Sequence, residues 1–139
     1  MAHHTASIEF STRGDAHLVD ITRELQVETR KSGIKHGILT VFVPGATGAI
    51  TTIEYEPGLV KDLPAALERL FPKDMHYSHH DHHDDGNGHS HVRASFLKPS
   101  LTIPVVDGDL PLGTWQQVIF VDLDNRPRER KLIVQILGE

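Results

Sequence analysis

The chain has 139 residues, 38% hydrophobic and 24% charged, which suits one soluble domain and leaves too little for a second core. It has no cysteine, which excludes disulfides, thiolate metal sites, iron–sulfur clusters and cysteine nucleophiles, so any soft-metal site must use imidazole and oxygen ligands. A formal net charge of -5 offers no basic face for nucleic acid or an anionic membrane. No apolar run approaches the roughly 20 residues of a membrane span, and Met1-Ala2-His3-His4 has no secretory signal pattern, so a cytoplasmic location is expected.

Residues 6–13 alternate apolar Ile8 and Phe10 with Glu9 and Ser11, the pattern of a half-buried strand. Arg13-Gly14-Asp15 reads as a turn into a second short strand, His17 to Ile21, and a helix follows to about Ser32, stopped by Gly33. Ile38 to Val43 is a β-rich run expected to be buried on both faces. Pro44-Gly45-Ala46-Thr47-Gly48 breaks it, and another β-rich run occupies Ala49 to Tyr55. Leu59, Leu63, Ala66, Leu67 and Leu70 recur at helical spacing, which predicts an amphipathic helix over 58–70. A His/Asp-rich loop is expected over 76–91, followed by strands Leu101 to Val106, Trp115 to Leu123 and Arg130 to Leu137 as an antiparallel meander. The expected class is α+β, a single domain over 1–139 with roughly seven strands in antiparallel, sandwich-like sheets and two helices.

Histidine is the composition's outlier: of eleven, seven (His76, His79, His80, His82, His83, His89 and His91) fall within 76–91. Asp74, Asp81, Asp84 and Asp85 supply nearly all of the net acidity, since no Lys or Arg lies among them. Neutral imidazole is the commonest ligand for zinc, copper and nickel. On an extended segment His89 and His91 would project to one side and chelate one ion, with His79 as a third ligand. If 76–83 were helical, His76, His79, His80 and His83 would share a face instead. The competing reading is a solvated polar loop that binds metal loosely.

Three further features bear on chemistry. Gly45, Thr47 and Gly48 lie between two β runs, where small residues let backbone N–H groups approach an anion; without a Gly-Lys-Ser/Thr ending this is no P-loop, and a plain hairpin is the alternative. Glu54 follows as a candidate general acid or base. Leu112-Gly113-Thr114-Trp115-Gln116 holds the sole tryptophan beside a glutamine that needs a partner if buried.

Ser100-Leu101-Thr102-Ile103-Pro104-Val105, Gly108-Asp109-Leu110 and Leu112-Gly113-Thr114-Trp115-Gln116 together resemble the signature of the YjbQ-like family, the secondary thiamine-phosphate synthase family. Tyr77-x-His79 and Asn87-x-x-Ser90-His91-Val92 resemble its two histidine motifs, and Thr47-Gly48-Ala49-Ile50-Thr51 with Glu54, the Pro57 turn, Asp62 and Arg128-x-Arg130 match further along the chain. One departure stands out. Many members open the glycine loop with His-Thr-Ser/Thr-Ala, where this chain has Pro44-Gly45-Ala46-Thr47-Gly48, and Ile53 replaces the Asn that often precedes the Glu. The histidine of that motif is absent, leaving His89 or another loop histidine to substitute.

The resemblance implies a homotrimer with histidine-lined sites that hold a divalent metal, zinc among the candidates. It also implies a weak thiamine-phosphate synthase activity that joins a pyrimidine pyrophosphate to a thiazole phosphate. Departing pyrophosphate needs cationic help, for which Arg93 and Lys98 are the nearest candidates. The expected site comprises metal ligands His79, His89 and His91, catalytic Glu54, Gln116 and Arg93, and the anion-binding Gly45, Thr47 and Gly48. The alternative is a non-enzymatic protein that buffers transition metal with its His-rich loop.

Overall fold

The computed structural model describes all residues, 1–139. Seven strands form: β1 (Ala2–Thr12), β2 (His17–Asp20), β3 (His36–Phe42), β4 (Gly48–Ile53), β5 (Ser100–Val106), β6 (Gln117–Asp122) and β7 (Arg128–Gly138). The helices are α1 (Thr22–Ser32), α2 (Pro57–Leu70) and α3 (Gly88–Leu97), with a 3-10 turn at Ser78–Asp81. Local chemistry sets their ends. The Asp20 carboxylate accepts from the Thr22 N–H at 3.0 Å where α1 begins, and Gly33, at φ 70°, closes it. Glu56 caps α2 by accepting from the N–H groups of Gly58 and Leu59.

The strands pair antiparallel in two sheets, ordered β1-β7-β3-β5 and β2-β6-β4. Strand β6 shows how the layers stack. Val118 and Phe120 enter the core between the sheets beside Leu39, Val41, Val134 and Ile136, while Ile119 and Val121 pack beneath α2 and α3 against Leu67 and Ala94. Its continuous apolar run therefore serves two cores, and each such fully buried side chain contributes about 1.5–3 kcal/mol. Leu25 of α1 enters the core between the sheets. No helix is long and apolar enough to cross a membrane.

The predicted α+β class and seven strands stand, with four corrections. The last three strands are not a meander: β5 pairs with β3, β6 lies in the other sheet, and β7 runs between β1 and β3. Strand β3 is buried on one face only; Leu39 and Val41 point inward, whereas Ile38 and Phe42 remain 46% and 40% exposed on the outer face. Trp115 precedes β6 and is 73% exposed. Most consequentially, the expected loop over 76–91 contains the 3-10 turn and the first turn of α3, so there are three helices where two were predicted.

Candidate metal centre

Helix α3 begins directly after Asn87, whose backbone carbonyl accepts the His91 N–H at 3.0 Å and whose side-chain oxygen accepts from the Ser90 hydroxyl at 2.8 Å. Gly88 is required at the first position. A Cβ there would lie 2.7 Å from the Tyr77 side chain, because the 3-10 turn packs closely on α3. His80 joins the two elements by accepting the Gly88 N–H at 3.3 Å.

Helical geometry separates the two histidines expected to act together. Residues two apart on a helix differ by about 200° around the axis, so His89 and His91 face opposite ways. His89 is 1% exposed, its Nδ1 has no partner, and its Nε2 lies 3.3 Å from the Ser90 hydroxyl. Burial above all, then the charges of Arg93 and Lys73, holds its imidazole below the ordinary pKa and favours the neutral form. The expected chelate of His89 with His91 therefore does not form.

His91 instead meets His79 and Asp85. His79 Nε2 lies 3.2 Å from both Asp85 carboxylate oxygens, His91 Nε2 lies 3.7 Å from one of them, and the two imidazole centroids are 4.7 Å apart. One donor atom from each residue falls within 4.8 Å of the others. Ligands about 2.0–2.2 Å from one zinc ion sit about 3.4 Å apart, so the widest pair of these donors would have to close by about 1 Å to hold a cation. The tautomer is set as well: His91 Nδ1 is 2.9 Å from the Ala46 carbonyl oxygen, which can only accept. Nδ1 therefore carries the proton and Nε2 presents its lone pair to the cluster, the backing that metal-bound histidines commonly have.

Asp85 is ready to serve as the anionic ligand. The Asn87 N–H donates to it at 2.9 Å and His79 adds a second hydrogen bond; together they lower its carboxyl to about 2. With both histidine side chains 31% exposed and Asp85 at 43%, the donor set opens to solvent and leaves room for a further ligand.

A buried polar network fixes the cluster from below. Asp124 accepts from Asn87 Nδ2 at 3.3 Å, Thr47 Oγ1 at 3.0 Å and Arg128 Nε at 2.8 Å. Asp122 accepts from Thr12 at 2.5 Å and from two nitrogens of Arg130, at 2.7 and 3.0 Å. Both carboxylates are fully buried. The network thereby ties the glycine loop, the root of α3 and the turn between β6 and β7 into one body.

The other predicted site residues divide. Gly45 and Gly48 line a cavity of about 290 Å³ with Ala46, facing His91, Ala94 and Ser95, so the glycine loop does border the cluster. Thr47 is buried and used by Asp124 and Arg130. Arg93 is not a free cation: its guanidinium donates to the Phe71 carbonyl and to Glu68, all at 2.8–3.0 Å. Glu54 is exposed just beyond β4. Gln116 accepts the Gly113 N–H at 3.0 Å and lines a separate small cavity with Thr52 and Leu112. The largest cavity, about 500 Å³ between Arg13, His17 and Tyr55, shares no residue with the cluster.

Sequence reasoning noted Asp85 among the acidic residues of the tract and Asn87 within a histidine motif but gave neither a site role, and it did not single out Asp122 or Asp124. A signal for the last two exists: Asp122 and Asp124 end an apolar strand, and Arg128 and Arg130 open the next with the same spacing of two, which places both pairs on one side of the turn.

Fold and cluster together define an α+β protein of two antiparallel sheets with a His/Asp cluster at the root of its last helix. The chain belongs to the YjbQ-like UPF0047 family: the profile described as "UPF0047 protein YjbQ-like" matches residues 6–139. A UPF0047 protein of Methanothermobacter thermautotrophicus is 38% identical over all of this chain and 95% of its own. YugU of Bacillus subtilis, another UPF0047 protein, is 30% identical over 95% of this chain and 98% of its own. Among solved structures, a hypothetical protein from Aeropyrum pernix superposes with a TM-score of 0.90 at 33% identity, covering 98% of this chain and 99% of that one. A protein of unknown function from Sulfolobus solfataricus gives 0.88 at 34%, covering 99% of each chain.

Proposed function

We propose that the protein is a metal-dependent transferase of the thiamine-phosphate synthase type, working at the cluster of His79, Asp85 and His91. The observation that carries this reading is the convergence of three donors, one with its tautomer set by the Ala46 carbonyl, beside a cavity bordered by Gly45 and Gly48. In the reaction, the pyrimidine's bond to pyrophosphate breaks as its bond to the thiazole phosphate forms. A divalent metal held there would supply positive charge to the leaving pyrophosphate. The chain's own part is to hold the donors in place through Asn87 and Asp124 and to border the substrate with the glycine loop. Incubating the protein with both substrates tests this reading. Product that disappears on chelation and returns with added divalent metal supports it; turnover indifferent to chelation sinks it.

The second reading, metal buffering without turnover, draws on the remaining loop histidines. His79 and His83 stack with centroids 5.2 Å apart, and His76 lies 3.3 Å from Asp81 on the surface. Replacing residues 80–84 by Gly/Ser, with Asp85 left intact, separates the two. A defined site should keep one ion per subunit by equilibrium dialysis, whereas a buffer should lose capacity in proportion to the histidines removed.

The proposed assembly is a homotrimer built on the outer face of the larger sheet. Ile38 pairs across the strands with Leu137 and Phe42 with Ile133, leaving two exposed apolar pairs, each side chain 38–46% exposed, on either side of the polar Thr40–Gln135 pair. Phe42→Glu places a charge on that face and is expected to yield monomers in light scattering. A trimer unchanged in mass would locate the contact elsewhere.

A further inference from the structure

We infer that the cavity between Asp85 and Arg126 is a phosphoryl-binding subsite beside the metal centre, with Arg126 and Arg128 as its cationic wall. This inference rests on the metal centre proposed above and adds the groups that take the anion. The cavity measures about 440 Å³, within the range of small-ligand pockets, and Asp85, Asn87, Asn125, Arg126 and Arg128 line it without a single apolar residue.

Its wall is built before any ligand arrives. Asn125 donates through Nδ2 to the Asp85 carbonyl at 2.9 Å and through its backbone N–H to Asn87 at 3.1 Å, which sets Arg126, its neighbour in sequence, at the rim. Arg128 spends only its Nε on the buried Asp124, so its terminal nitrogens stay available. Arg126 is exposed and makes no salt bridge. An unpaired guanidinium beside a half-used one, on a polar cavity, presents the forked donors that match phosphate oxygens. These arginines take over the role that the sequence assigned to Arg93, whose guanidinium is consumed by Glu68 and Phe71.

The position of Asp85 makes the subsite conditional. A bare carboxylate on the same cavity repels an oxyanion, while a divalent cation held by Asp85 and the two histidines reverses the local sign. Phosphate and metal should therefore strengthen each other's binding, by the same factor in both directions.

The test titrates the full-length protein with inorganic phosphate, metal-free and holding one equivalent of zinc, with acetate at equal ionic strength as the other anion. Phosphate should bind at least tenfold more tightly with zinc present, and more tightly than acetate. Arg126→Gln should weaken phosphate binding at least tenfold while the zinc titration stays unchanged. Arg128→Lys, which keeps a charge beside Asp124 but loses the fork, should show a smaller loss in a folded protein. Wild-type phosphate affinity in Arg126→Gln with zinc binding intact overturns the subsite and leaves the metal centre standing. Acetate binding as tightly as phosphate overturns the phosphoryl assignment. A wild-type chain that takes up no zinc overturns the metal centre, and the subsite then stands or falls on whether Arg126→Gln weakens phosphate binding to the metal-free protein.

Discussion

Alanine at both His79 and His91 is expected to abolish stoichiometric metal binding and, with it, turnover, while leaving the fold intact. Two of the three converging donors disappear, and Asp85 alone cannot hold a transition metal against solvent. The fold should tolerate the change because both side chains are partly exposed and neither belongs to an apolar core, and the hydrogen bonds lost, to Ala46 and Asp85, are worth about 0.5–1.5 kcal/mol each. Calorimetric titration with zinc, read beside a thermal melt, measures both. One-to-one binding retained by the double variant would assign the ion to other histidines of the tract. Asp85→Asn is the informative single change: the shape survives, the charge does not, and affinity should fall without complete loss.

Asp124→Ala is the substitution expected to cost the most stability. The carboxylate is fully buried and accepts from Arg128, Thr47 and Asn87, so its removal strands a guanidinium, a hydroxyl and a carboxamide together. Arg128 is 35% exposed and can rehydrate, so the main cost is the buried Thr47 and Asn87 groups left unpaired, about 1–3 kcal/mol each, enough to lower Tm by several degrees in a chain this size. The pH dependence follows from the same contacts. Burial pushes the Asp124 carboxyl up, but hydrogen bonds from Arg128, Asn87 and Thr47 outweigh it and hold the group below its ordinary value of 3.8. Its contribution is thus complete above the unfolded pKa near 3.8 and is lost as pH falls through the lower folded value. Denaturation of Asp124→Asn, followed from pH 6 downward, should show a shallower acid decline than wild type. Parallel acid limbs would show that other carboxylates carry it.

Much of the fold was legible because it is written in local patterns. Alternation over residues 6–13, the helical recurrence of Leu59, Leu63 and Leu67, and the Arg13-Gly14-Asp15 turn each report backbone preferences that hold without tertiary help. The pairing of β5 with β3 and of β7 between β1 and β3 was not legible, since hydrogen bonds between strands far apart in sequence leave no periodic mark. The run Ile38 to Val43 misled for a related reason: an apolar outer face carries the same composition as a buried one, and Ile38 and Phe42 differ from Leu39 and Val41 only in what covers them.

The histidine tract shows the division most clearly. By itself the sequence determined that a cysteine-free chain concentrates imidazole and carboxylate in one short segment, and that His79 and His91 sit in motifs flanking it. Only the tertiary structure decided which of these side chains meet. The segment after Asn87 coils into α3 instead of extending, and the roughly 100° turn per residue sends His91 toward His79 and Asp85 while burying His89 on the far side. Asn87, where that helix starts, is tied to Asp124 across 37 residues of chain, an interaction with no local signature.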